Sequence, residues 1–148
     1  MTPPDTQRYL LDTNILVYYV RGKELGEYVE ATYSLKTVAM APIICAVTEG
    51  ELRSLALKFS WGRDKRRKAE ALLERFVVVQ LDLPGLYDAY ASIDDHSRQQ
   101  GMPMGENDLW IAATAHVTGA RLLTTDKDFD HLDPGYLTRD YIDQDAYK

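Results

Sequence analysis

The sequence predicts an α/β fold in which helices cover a central, mostly parallel sheet. Short apolar segments alternate with longer segments of helical periodicity along the chain, which is the order that successive βα units produce. The chain has no internal repeat, low-complexity stretch or linker, and its 148 residues are the usual size of one domain. We therefore expect residues 1–148 to form a single domain.

Strands are predicted where a compact apolar segment stops at a polar residue or a turn. The first segment reads Tyr-Leu-Leu and ends at Asp12. Pro42 is expected to end the second strand, and a run of three valines predicts a third, buried strand. The predicted strands cover, in order, residues 9–11, 38–41, 77–81 and 121–125.

Helices are predicted where apolar residues recur at a spacing of three to four. Pro84 is acceptable in the first turn of a helix, Gly101 interrupts the pattern, and Gly119 stands where a helix commonly ends. The predicted helices cover residues 14–20, 26–36, 44–59, 64–76, 84–100 and 106–118. From His131 onward the sequence supports no assignment.

Composition restricts the class of protein. The chain is 45% hydrophobic and 27% charged, as in soluble globular proteins, and no apolar run is long enough to cross a bilayer. The first eight residues are polar and lack the apolar core of a signal peptide. The single cysteine, Cys45, cannot form an internal disulfide or a multi-cysteine metal site. We expect a cytoplasmic protein that does not associate with membranes.

The formal net charge of −6 argues against a nucleic-acid-binding protein, because phosphates favour basic surfaces. Net charge does not describe how the charges are distributed, however. Several acids gathered around a metal ion leave the remaining surface less negative, and a partner can also supply basic residues.

Two acids follow predicted strands. Asp12 comes directly after the first strand, and Asp126 directly after the strand predicted at residues 121–125. In open α/β sheets, ligands bind beyond the carboxyl ends of the parallel strands. If both strands are parallel members of one sheet, both carboxylates lie at the same edge.

Two further acids fall on apolar faces of predicted helices. Glu51 lies within the apolar stripe of its helix, whereas Glu49 lies on the opposite side and is expected to be solvated. Asp108 shares its face with Ala112 and Ala115. A carboxylate on a buried face costs several kcal/mol unless a partner compensates it, and a metal ion is the compensation that also provides a function.

Each acid alone has an ordinary structural explanation. Asp12 can cap a helix, Asp108 can be a first-turn acid favoured by the helix dipole, and Asp126 and Asp128 are common turn residues. The four placements together are difficult to explain by coincidence. Clustered oxygen ligands select hard cations such as Mg²⁺ or Mn²⁺, which indicates metal-dependent hydrolysis of a phosphodiester.

Other catalytic classes lack their motifs. We find no G-x-S-x-G elbow and no phosphate-binding P-loop, and Cys45 lies in an apolar segment that favours a core position over a nucleophilic one. The three histidines do not have zinc-site spacing, so they are interpreted as surface or polar packing residues.

Four segments resemble the motifs of PIN-domain nucleases, in the order and spacing of that family over almost the whole chain. The third segment is the most specific. The segments are YLLDTN at 9–14, VTEGEL at 47–52, GENDLWIAATA at 105–115 and LLTTDKDF at 122–129. The branch that the sequence resembles most is the VapC-type toxins of toxin–antitoxin pairs.

This resemblance implies a Mg²⁺- or Mn²⁺-dependent endoribonuclease with a PIN-like three-layer α/β/α fold. It also implies a homodimer and a small VapB-like antitoxin whose tail blocks the active site. Carried over by position, the catalytic and metal-binding acids are Asp12, Glu51, Asp108 and Asp126.

The resemblance further implies supporting polar residues. Thr13 and Asn14 would orient the first acid, and Thr124 would stand beside the acids as a second polar group. At the fourth motif, Asp128 is close enough to Asp126 that either residue, or both through water, can serve as the fourth acid.

A basic segment follows the second acidic motif and permits two interpretations. It can contact RNA phosphates, with Trp61 as a stacking platform, or it can be a solvated helix face. Tyrosines 18, 19, 28 and 33 can likewise belong to a dimer or antitoxin surface or to the core. The possible RNA contacts are Arg63, Lys65, Arg66 and Arg67.

Two other functions stay open. A structure-specific DNA nuclease of the flap-endonuclease kind would need added DNA-gripping elements that this sequence lacks. A non-catalytic RNA-binding or scaffold domain of the same fold would be expected to have lost one or more of the four acids. An aspartyl phosphatase is less favoured, because no second Asp stands two residues after Asp12.

Overall fold

The computed structural model describes residues 7–147. The prediction that the N-terminus is polar and lacks a signal peptide falls mainly on residues 1–6, which lie outside the described residues, as does residue 148. Within the described range, no helix combines the length and hydropathy needed to span a bilayer.

Within residues 7–147, five strands form one sheet in which every neighbouring pair is parallel. Their order across the sheet is β3-β2-β1-β4-β5, so β1 lies at the centre between β2 and β4. This confirms the predicted α/β class. The strands are β1 (Tyr9–Leu11), β2 (Ile43–Cys45), β3 (Val77–Val79), β4 (Arg121–Thr124) and β5 (Thr138–Tyr141).

In the part of the chain that the structure describes, six α-helices cover the two faces of the sheet. One apolar cluster joins Leu11 and Leu123 to α1, α2 and α4, and a second joins Leu10 and Leu122 to α5 and α6. The helix α3 packs against α1 and α4 and also against α6. This is the predicted three-layer α/β/α arrangement. The helices are α1 (Thr13–Arg21), α2 (Glu24–Tyr33), α3 (Ala46–Lys58), α4 (Arg63–Arg75), α5 (Leu86–Gln99) and α6 (Glu106–Thr118).

The prediction of a strand over residues 38–41 is wrong, because the strand follows Pro42 instead of preceding it. The backbone N–H of Val77 donates to the Pro42 carbonyl at 2.9 Å, and the pairing with β3 continues along β2. A proline at the entry of a strand removes no ladder hydrogen bond. The apolar residues after Pro42 therefore form β2, and α3 begins at Ala46, later than predicted.

The two edge strands also differ from the sequence prediction. β3 was expected to be buried, but it has a neighbour on one side only, and Val77 is 46% exposed. β5, which the sequence left unassigned, is held by polar contacts. Arg121 forms an ion pair with Asp140 at 2.7 Å, and the Tyr33 hydroxyl donates to the other Asp140 oxygen at 2.7 Å.

The helix ends show where local signals were sufficient. α6 has the predicted bounds and ends at Gly119, whose φ of 71° is the left-handed conformation that glycine favours. Pro84 precedes α5 and does not enter its first turn. Gly26 allows α2 to approach α1, since a Cβ there would lie 2.7 Å from the Tyr18 carbonyl oxygen.

Candidate active site

Asp12 stands between β1 and α1, and both of its carboxylate oxygens accept a hydrogen bond. The Thr13 N–H donates to Oδ1 at 2.7 Å and the Thr124 hydroxyl donates to Oδ2 at 2.7 Å. Burial raises the pKa of Asp12 to about 6, although these two hydrogen bonds lower it; repulsion from Asp126 and Glu51 raises it further. The first acid is therefore held by two hydrogen bonds in a site that disfavours its charge.

Thr124 also connects Asp12 to the turn after β4. Its hydroxyl oxygen accepts the Asp126 N–H at 2.9 Å. The Asp126 carboxylate in turn accepts the Asp128 N–H at 2.8 Å and so caps the short 3-10 helix Lys127–Leu132. These local contacts hold Asp126 and Asp128 at the carboxyl edge of the sheet.

Glu51 reaches the same edge from α3. The Thr13 hydroxyl donates to Glu51 Oε1 at 2.8 Å and lies 3.1 Å from the hydroxyl oxygen of the fully buried Thr48. Glu49 forms an ion pair with Arg53 at 3.4 Å on the outer side of the helix. The helical phase therefore separated the two acids of α3 correctly.

Asp108 lies in the first turn of α6 and completes the group. Burial raises the pKa of Asp108 to about 7, and repulsion from the surrounding carboxylates adds to this effect. Those carboxylates are, in decreasing order of effect, Asp12, Asp126, Asp128 and Glu51. The four predicted acids and Asp128 therefore form one electrostatic cluster, although they come from four separate segments.

The geometry of the cluster fits a divalent cation. One carboxylate oxygen from each of Asp108, Asp126 and Asp128 lies within 4.8 Å of the others, close enough for a single ion to contact all three. This trio includes Asp128 but not Asp12 or Glu51. The oxygens of Asp12 already accept hydrogen bonds, yet a carboxylate oxygen has a second lone pair that can still bind an ion. Hard cations such as Mg²⁺ prefer this donor set.

The polar residues expected around Asp12 differ in whether they contact it. Thr13 contacts Asp12 through its backbone N–H and Glu51 through its hydroxyl. Asn14 is exposed, and among residues 7–147 it makes no hydrogen bond to Asp12. Sequence reasoning missed Thr48. Its position three residues before Glu51, on the same side of α3, was the available signal.

Among residues 7–147, the basic segment forms no ion pair with the acids of the cluster. Lys68, which follows it on α4, lies near the C-terminal end of α1, where a Cβ on Gly22 would be 3.7 Å from Lys68 Nζ. Asp12 caps the other end of α1, roughly 13 Å away for a helix of this length. Trp61 is only 5% exposed and belongs to the core, so its interpretation as a stacking platform is wrong.

The remaining residues singled out in the sequence have packing roles. The four tyrosines of α1 and α2 are buried or packed against the core, and Cys45 is buried at the end of β2. Ser97 and His131 share a hydrogen bond of 2.7 Å, and His116 lies 2.7 Å from the Tyr136 carbonyl oxygen.

Comparisons with known proteins match most of the chain. The profile of the family described as PIN domain matches residues 9–134. Ribonuclease VapC1 of Haemophilus influenzae is 31% identical over 127 residues, which cover 84% of this chain and 91% of the relative. Ribonuclease VapC2 of Rickettsia felis is 28% identical over 127 residues, with the same coverage of both chains.

Solved structures have the same fold. The structure of VapBC-1 from nontypeable Haemophilus influenzae superposes with a TM-score of 0.73 and 27% identity, and covers 91% of this chain and 98% of that chain. VapBC2 from Rickettsia felis, solved with a DNA fragment from its promoter, gives a TM-score of 0.75 at 22% identity over the same shares. Because the family profile spans most of the sequence, the chain belongs to the PIN-domain family.

Proposed function

We propose that this protein is an endoribonuclease that hydrolyses RNA phosphodiester bonds with Mg²⁺ or Mn²⁺, and that it is the toxin of a toxin–antitoxin pair. The observation that carries the proposal is the carboxylate cluster. Asp108, Asp126 and Asp128 bring three oxygens within 4.8 Å of one another, beside the buried Asp12. The similarity to ribonucleases named VapC supports RNA as the substrate.

The ion would be held by Asp12, Glu51, Asp108 and Asp126, with Asp128 able to replace or assist the last of them. At this site the ion would supply neutralisation of charge on the scissile phosphate and a lowered pKa for a water molecule. Without the ion, the pKa of about 7 means that Asp108 holds a proton for much of the time near neutral pH. Ion binding therefore has to release this proton, so affinity for the ion rises with pH.

The supporting residues hold the acids in place. Thr124 and the Thr13 N–H fix the two oxygens of Asp12, which leaves the direction of its carboxylate little freedom. Outer contacts of this kind commonly change metal affinity or activity by about 10- to 100-fold. We assign no orienting contact to Asn14, because its side chain is exposed.

We also propose a VapB-like antitoxin as the protein partner, which the likeness to solved VapBC assemblies supports. A homodimer and a cytoplasmic location belong to the same proposal. Within residues 7–147, the basic residues of α4 form no ion pair with the acids of the cluster, and we propose that they contact RNA away from the cleaved bond. These residues are Arg63, Lys65, Arg66 and Arg67.

The direct test uses purified protein that is free of any partner. It should cleave single-stranded RNA when Mg²⁺ or Mn²⁺ is present, stop in excess EDTA, and recover when the ion is restored. The Asp108→Asn variant, purified in parallel, controls for contaminating nucleases. Cleavage that persists in excess EDTA would refute the metal dependence, and cleavage of DNA of the same sequence in place of RNA would refute the ribonuclease assignment.

A further inference from the structure

The Thr13 hydroxyl lies between two oxygen atoms from α3. Glu51 Oε1 is 2.8 Å away and Thr48 Oγ1 is 3.1 Å away. Thr48 is fully buried and Thr13 is 6% exposed. Thr48 lies in the first turn of α3, three residues before Glu51, so both side chains project from the same side of the helix toward the start of α1.

Counting protons gives these contacts a direction. A threonine hydroxyl has one proton and two lone pairs, whereas an ionised carboxylate can only accept. Thr13 is the donor in the 2.8 Å contact with Glu51. Since that is the only proton of the Thr13 hydroxyl, a linear hydrogen bond in the 3.1 Å contact requires Thr48 to donate its own proton to the Thr13 oxygen. The two hydroxyls and the carboxylate thus form a chain in which Thr48 donates to Thr13 and Thr13 donates to Glu51.

We propose that Thr48 is a positioning residue, whose buried hydroxyl commits the single proton of Thr13 to Glu51 and so fixes the direction of that carboxylate. The inference rests on the proposed function, in which Glu51 helps to hold a divalent cation. Thr13 also donates its backbone N–H to Asp12. A change in the Thr13 side-chain rotamer would therefore move Glu51 relative to Asp12.

The other side of the cluster has the same construction. Thr124 accepts a hydrogen bond from the Asp126 N–H and donates its own proton to Asp12. In both places, a threonine hydroxyl donates to an acid and accepts a hydrogen bond from a third group. Its single proton is therefore directed at the acid. The Thr48 hydroxyl therefore acts on Glu51 through Thr13, in the same way that the Asp126 N–H acts on Asp12 through Thr124.

The test measures Mn²⁺ affinity by calorimetry without RNA. Thr48 is fully buried, so its substitution should act on the ion site and not on contacts with RNA. Thr48→Val keeps the side-chain shape and removes the donor. We expect it to weaken Mn²⁺ binding by about 3- to 10-fold, at or below the lower end of the range for outer contacts, because Thr48 acts through one intermediate residue. At saturating Mn²⁺, kcat should fall while KM for RNA stays unchanged. Thr48→Ser, which retains the hydroxyl, should restore both quantities.

Thr114→Val is the matched control. Thr114 is also fully buried, and its hydroxyl donates to the Trp110 carbonyl and to none of the acids. Loss of Mn²⁺ affinity in Thr48→Val but not in Thr114→Val supports the inference. Equal affinities in the two variants, or failure of Thr48→Ser to restore binding, would overturn it. If Thr48→Val does not fold, Thr48→Cys provides a side chain of similar size with a weak donor.

A double substitution separates positioning from general destabilisation. In a Thr13→Val background the chain of hydroxyls is already broken, so Thr48→Val should cause no further loss of Mn²⁺ affinity. Additive losses would show that Thr48 acts by another route. Wild-type protein that neither binds Mn²⁺ nor cleaves RNA would refute the proposed function itself. Wild-type protein that does both, with Thr48→Val unchanged, would refute only the role of Thr48.

Discussion

Asp108→Asn should inactivate the protein and, without metal, stabilise it. The substitution removes a charge that burial and neighbouring carboxylates oppose, while the size of the side chain stays the same. One pKa unit corresponds to about 1.4 kcal/mol. The rise from 3.8 to about 7 therefore sets an upper limit of about 4 kcal/mol on the destabilisation caused by this charge.

Two corrections reduce that limit. Asp108 is partly exposed, and screening by solvent reduces the effect to about 2 kcal/mol. The substitution also removes a favourable interaction with the N-terminal end of α6, which is worth about 0.3–1 kcal/mol. The expected net gain in the free energy of unfolding is about 1–2 kcal/mol at pH 8, or about 3–7 °C in Tm for a domain of this size.

The pH dependence provides a second check. The pKa of Asp108 is higher in the folded than in the unfolded chain, so the folded protein binds this proton more tightly. The stability that this bound proton contributes is complete below the unfolded pKa of about 3.8 and is lost as the pH rises to about 7. The advantage of Asp108→Asn over wild type should therefore be about 40% of its full size at pH 5 and complete at pH 8.

Thermal melts in EDTA at both pH values measure this advantage. Added Mg²⁺ should raise the Tm of wild type more than the Tm of the variant. Glu106→Gln is the matched control, because Glu106 is an exposed acid in the same turn. It should keep RNA cleavage and lose a few tenths of a kcal/mol. An Asp108→Asn protein that still cleaves RNA, or that melts below wild type at pH 8 in EDTA, would show that Asp108 is only a helix-start acid.

Two further predictions concern α4 and its surroundings. Alanine at the four basic positions should weaken binding of long RNA and reduce its salt dependence by up to about one unit of slope per residue, without changing Mn²⁺ affinity; an unaltered slope would identify a solvated surface. Trp61→Ala should lower the free energy of unfolding by about 3–5 kcal/mol, measured by urea denaturation; a protein of unchanged stability that binds RNA less tightly would contradict the core assignment. The four basic positions are Arg63, Lys65, Arg66 and Arg67.

The sequence predicted the parts of the fold that local signals determine. α6 was predicted with its observed bounds because acids at its start and Gly119 at its end agree with its apolar periodicity. Asp12 and Asp126 were placed at one edge of the sheet because strand polarity alone determines this. Glu51 was separated from Glu49 because helical phase alone determines it.

Other features depend on the assembled structure. β5 has no apolar pattern of its own, and its position depends on Tyr33 and Arg121, which are distant in sequence from Asp140. β3 has the composition of a buried strand but lies at an edge. Whether Trp61 faces solvent or the core depends on how α3 and α4 pack, which neither its type nor its basic neighbours reveal.

The position of Asp12 at the head of α1 affects how inactive variants should be chosen. Asp12→Ala would remove the cap of α1 together with the carboxylate. Loss of the cap costs about 1 kcal/mol, whereas loss of a charge that burial disfavours acts in the opposite direction. In cells, a change in stability alters the abundance of a marginally stable protein, so the effect of this variant would combine the loss of the acid with a change in abundance. Asp12→Asn retains an acceptor that can cap the helix, which makes it the more informative choice for preparing intact complexes with a protein partner.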